Sequence, residues 1–237
     1  MLSSCVSPTI KKDMVLFDEA FIPAWYYAYK GDLDNSRRAL LPLLNNWKKI
    51  EKKYNYQFIA NEDRSEAMRL IGAWLDEANC AILDNEISHA VVHLDHARYE
   101  MMELRYLIGI DDYYLDKVWD LESSIALLID YATDDKLGLL EWEEFKEVAK
   151  DMDKAWNEVL KAQIDQELFE LTETQVLQLA ENKLRLNIAI DNFQEQLETA
   201  DGRCFGPAAE DIKPAYINFM KVFGDYKAIQ TYYAFAK

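Results

Sequence analysis

The chain has 237 residues, 50% of them hydrophobic, which is enough to bury the core of one large domain or of two fused halves and excludes disorder as the default state. Only 7 Gly and 5 Pro leave few turn-makers for a many-stranded sheet, whereas the abundant Leu, Ala, Glu and Lys are helix formers. A net charge of -17 argues against nucleic acid and anionic membranes as partners, and no apolar run approaches the roughly 20 residues of a transmembrane helix.

Residues 1–10 read as a tether or signal remnant. Within them Leu2-Ser3-Ser4-Cys5 resembles the lipobox of bacterial lipoproteins, in which the cysteine is acylated. The resemblance covers four residues and implies Cys5 as the point of lipid attachment, with an extracytoplasmic, membrane-anchored protein as the consequence. The basic and apolar regions of a signal peptide are missing, so a true lipobox requires a trimmed or misplaced start. The alternative is an ordinary N-terminus on a cytoplasmic protein. Cys80 and Cys204 read as small buried hydrophobes rather than as a disulfide.

Apolar periodicity, broken at Gly, Pro, Asn and Asp, predicts about seven helices. The first covers 11–30 and stops at Gly31-Asp32; the second covers 34–54 and carries Leu40, Leu44, Trp47 and Ile50. A long third helix spans 65–108, with Gly109 as its stop. The others span 113–132, 140–163, 166–200 and 208 to near the terminus, the last with Pro214 in its first turn. The expected fold is all-α, an up-and-down bundle filling 11–237 as a single domain.

Internal similarity points to duplication, with pseudo-repeats of about 11–132 and 133–237. Trp47 matches Trp156, each on the helix before a long one. His89, His93, His96 and Glu100 share a four-three-four spacing with Asn187, Asp191, Gln194 and Glu198. Pro23-Ala24-Trp25 and Pro214-Ala215-Tyr216 open similar aromatic stretches.

All three histidines fall between residues 89 and 96, on one predicted helix. At about 100° per residue, His89, His93, His96, Glu100 and Glu103 lie within roughly 80° of arc. On a continuous helix Leu75, Ala78, Ile82 and Leu107 share that line, while Arg98 and Arg105 fall opposite. This predicts that the histidines face the interior, where buried polar groups must be paired, hydrogen-bonded or metal-bound. Imidazoles and carboxylates at i, i+3 and i+4 are how helices offer several ligands to one cation.

Glu86-Ile-Ser-His89 matches one Glu-x-x-His element of ferritin-like di-iron proteins, but no histidine remains for the second element that family requires. The expectation is therefore a mononuclear site, or a loosely held pair of metals. Its ligands would be His89, His93, His96, Glu100 and Glu86, with Asp191 or Glu198 from the repeat partner helix, holding zinc, copper, nickel or iron. The competing reading pairs each histidine with a neighbouring carboxylate or Tyr hydroxyl in a structural polar layer.

No haem attachment motif, nucleotide-binding glycine loop, hydrolase elbow or zinc-protease signature occurs in the sequence. Asp111-Asp112 and Asp134-Asp135 lack the spaced oxygen ligands of a calcium loop and read as helix starts or turns. Tyr26, Tyr27, Tyr29, Tyr232 and Tyr233 are candidates to line a groove or partner surface. The functional expectation is a non-catalytic transition-metal-binding bundle; the alternative is an interaction or scaffold lipoprotein with structural histidines. The partner is thus a metal ion or a protein, and the membrane is reached only through a lipid anchor.

Overall fold

The computed structural model describes residues 7–133, 142–199 and 205–229. Among them the protein is all-α, with eight α-helices and one 3-10 turn. It divides into two compact units, Met1–Asp111 with Phe223–Lys237, and Asp112–Val222. These compact units divide at 111/112, whereas the expected pseudo-repeats divide at 132/133. None of the described helices is long and apolar enough to cross a membrane.

The first unit contains α1 (Pro8–Tyr29), α2 (Leu33–Phe58), α3 (Glu62–Leu83) and α4 (Ile87–Leu107). Ser7 caps α1 by accepting from Thr9 N–H, and Pro8 stands where a missing N–H costs nothing. Gly31 and Gly109 take positive φ and end α1 and α4, letting Asp32 N–H reach Tyr27 O and Ile110 N–H reach Arg105 O. Asp32 and Asn61 then cap α2 and α3, accepting from Asn35 and Arg64 N–H.

The predicted 65–108 helix is two helices. Asn85, at φ 65°, occupies the left-handed position that usually falls to glycine, and Glu86 N–H closes back on Ala81 O at 2.8 Å. The chain reverses within Asp84-Asn85-Glu86, and α3 packs along α4. Arg64 Nε donates to Leu107 O and so ties the other end of this hairpin.

Phe17, Phe21 and Trp25 of α1, Trp47 of α2, Ile71 and Leu75 of α3 and Leu94 and Met101 of α4 fill the core of this unit. Asp18 on α1 and Arg105 on α4 form a buried ion pair at 3.3 Å. Pro23, inside α1, has no N–H to give to the Glu19 carbonyl, and that oxygen instead accepts from Asp225 N–H at 2.7 Å. Gly224 permits the approach, since a Cβ there would meet Pro23 and Ile22 at 3.1 Å.

The second unit contains α5 (Tyr114–Thr133), α6 (Trp142–Lys161), α7 (Glu173–Thr199) and α8 (Phe205–Met220), and the 3-10 turn Lys221–Phe223 spans its end at Val222. Helix α7 begins seven residues later than predicted because Thr172 and Gln175 form a reciprocal cap, each accepting from the other's backbone N–H. Pro214 lies inside α8 rather than in its first turn, because α8 starts at Phe205. Trp119, Phe145, Trp156, Phe193, Phe205 and Phe219 fill the core.

In both units the first helix packs on the fourth. Trp47 and Trp156 both stand on second helices, and Trp156 Nε1 donates to Asn187 Oδ1 on α7. The histidine stripe, however, lies on a fourth helix, whereas Asn187, Asp191, Gln194 and Glu198 lie on a third, so that element of the proposed repeat pairs non-equivalent helices.

Candidate functional site

The break at Asn85 changes which face of α4 is inside. Phase carried from Leu75, Ala78 and Ile82 into α4 assumes an unbroken helix, and the reversal resets it. Ala90, Leu94, Ala97, Arg98, Met101, Leu104 and Arg105 are the buried face of α4. The expectation of an interior histidine stripe is therefore corrected: His89 and His96 are exposed and His93 is half-buried. Arg105 enters the core because its guanidinium meets Asp18 there.

The three imidazoles on the outside have two kinds of partner, a carboxylate and one shared indole. His89 Nδ1 lies 2.9 Å from a Glu86 carboxylate oxygen, one turn back at the start of α4. His93 and His96 stack on the Trp74 indole of α3, with ring centroids 5.7 and 4.5 Å away and planes 20° and 23° apart. His93 Nδ1 is buried and has no hydrogen-bond partner among the described residues.

Glu100 is half-buried on the same flank; burial, then Glu103 and Glu66, push its carboxyl above the usual range, with His96 acting in the opposite sense. Among the described residues no group of three or more His, Cys, Asp or Glu side chains converges as a metal site would require. Asp191 and Glu198 are exposed on α7 of the second unit, where Asp191 accepts from Asn187 Nδ2 at 2.7 Å. Cys80, expected as a small buried hydrophobe, is instead an exposed free thiol on α3, while Cys5, Cys204, Asp134 and Asp135 lie outside the described residues.

The same face holds residues that the sequence reading passed over. Val92, Tyr99 and Tyr106 recur every seven residues along the outside of α4 and are all exposed, the two tyrosines at 66%. Seven-residue spacing keeps them on one line. Trp74 and the histidines flank that line on the α3 side. The signal was present in the sequence as a second apolar period on the helix, displaced about half a turn from the buried one.

Of the tyrosines expected to line a groove, Tyr26 and Tyr27 pack edge-on against Tyr226 at 6.0 Å, and Tyr29 stacks on Trp25. Burial raises the Tyr226 phenol, assisted by Tyr27 and Tyr26. Tyr232 and Tyr233 lie outside the described residues. Asp112 pairs with Lys117 at the start of α5. The chain matches no protein-family model, no curated protein and no solved structure.

Proposed function

We propose that the protein is a non-catalytic interaction or scaffold protein and that the outer face of the α3–α4 hairpin is its contact surface. The observation that carries this reading is the exposed line of Val92, Tyr99 and Tyr106, bordered by the Trp74–His93–His96 stack. Tyrosine, tryptophan and histidine supply large, rigid contact area with polar tips, which suits surfaces that meet another protein. His89 turned to Glu86, and His93 and His96 stacked on one indole, favour structural histidines over three ligands on a shared cation.

A photo-crosslinking residue in place of Tyr99, introduced in the source organism, tests this. A discrete protein adduct from position 99, and none from position 150 on the outside of α6, supports the reading. No adduct at position 99 sinks it. Titration with zinc, copper, nickel and iron, with elemental analysis, decides the competing metal function: one tightly held ion per chain, lost in His93→Ala and His96→Ala, would replace the scaffold by a metal-binding protein.

One observation keeps the metal reading in play. His89 Nδ1 faces Glu86, and a carboxylate there orients the Nε2 lone pair outward, as it does in metal sites. The lipobox-like Leu2-Ser3-Ser4-Cys5 supports an acylated, extracytoplasmic form. Mass analysis of the native protein tests it, with an acyl-sized increase on Cys5 as the expected outcome and an unmodified Cys5 as the opposing one.

A further inference from the structure

Helix α7 is apolar on two opposite faces. Leu179, Leu186, Ile190 and Phe193 are buried within the second unit. Leu177, Leu184 and Ile188, two residues earlier in phase and so about 200° round the helix, are exposed at 73%, 60% and 49%. Ala180 lies on the same outer line and is also exposed. Helix α6 in the same unit shows what a one-sided helix does, since Leu160 is its single exposed large apolar residue among those described.

A second apolar line on the exposed side of a helix is surface that a partner can cover. The outer stripe spans 177–188, about 17 Å or three turns, which is the footprint of another helix laid along it. Its anchors at i, i+3, i+7 and i+11 are the spacing that such packing uses.

Charge decides the occupant. Glu173 and Glu195 stand on the line beyond either end and Asp191 flanks it, all exposed. Glu181 and Arg185, also beside the stripe, neutralise each other at 2.6 Å, so the surplus there is acidic. Two copies of this acidic border would repel each other, as would an anionic lipid surface, and the chain as a whole carries -17. We propose that the outer face of α7 receives a basic amphipathic helix of about three turns from another protein, with leucine-like anchors on the stripe and Lys or Arg against the acidic flanks. The site lies in the second unit and stands or falls separately from the α3–α4 surface.

The probe is a fluorescein-labelled synthetic helix of 18 residues with leucines at i, i+3, i+7 and i+11 and lysines on both flanks, compared by anisotropy with a scrambled peptide of the same composition. Leu184→Asp and Leu177→Asp in the full chain should each weaken binding at least tenfold. Leu83→Asp is the matched control, because Leu83 is equally exposed, at 60%, on α3. That variant should change binding less than twofold, and high salt should weaken the wild type. The proposal is overturned if the scrambled peptide binds as well, or if Leu184→Asp and Leu83→Asp behave alike. A dimer in sedimentation that Leu184→Asp converts to monomer would also overturn it, by assigning the stripe to a second copy.

Discussion

The two units close the seam between their first and fourth helices with the same kind of pair and different chemistry. In the first, Asp18 and Arg105 are sealed, their side chains 3% and 0% exposed; in the second, Glu122 and Lys213 remain at 12% and 11%. The planar guanidinium, with several donors in fixed geometry, suits the sealed position, where every N–H must be satisfied internally. The lysine offers its single ammonium to Glu122 and lies over the buried Tyr216 ring, in a site less completely sealed than that of Arg105. Depth, more than the presence of a pair, sets what each is worth.

Removing one partner breaks the comparison most visibly. Arg105→Ala leaves Asp18 buried without its cation and should cost about 3–5 kcal/mol in chemical denaturation. Replacing both partners together, as Asp18→Leu with Arg105→Met, should recover most of that loss, because a buried pair of opposite charges is close to neutral against an apolar pair of similar volume. Lys213→Ala should cost less, about 1–3 kcal/mol, since Glu122 is less completely sealed than Asp18. If Lys213→Ala costs as much as Arg105→Ala, burial is not the deciding variable.

The outside of α4 gives the smallest effects. Glu100 is held above its ordinary pKa by burial, Glu103 and Glu66, so the folded state prefers it protonated. Its contribution is favourable below the unfolded carboxylate range and is lost as pH rises through the folded pKa. Glu100→Gln should therefore stabilise the protein by a few tenths of a kcal/mol at neutral pH, and the gain should vanish on acidification below the usual carboxylate range. A gain that grows on acidification would contradict the assignment.

Helix content and most boundaries were legible because they rest on local signals: Gly31 and Gly109 as stops, Asp32 and Asn61 as caps, apolar residues every three or four positions. One turn was not, because Asn85 does there what glycine usually does, inside a run whose apolar spacing looks continuous. That single residue decided the site. Running the helix through it placed the histidines in the core, where they would have needed pairing, hydrogen bonds or a metal, and the arginines in water. The partner that makes Arg105 a core residue, Asp18, lies 87 positions away and leaves no periodic trace. The stripe on α7 was legible as apolar spacing, but which of its two faces is inside depends on α6 and α8.

The central claim is that α4 turns its arginines inward and its histidines outward, and paired denaturation of Arg105→Ala and His96→Ala tests it most directly. Arg105→Ala should lose about 3–5 kcal/mol, while His96→Ala, which gives up only a surface stack on Trp74, should stay within about 1 kcal/mol of the wild type. A large loss for His96→Ala with little change for Arg105→Ala would mean that the histidines are the core residues, and would return the metal-binding interior to first place.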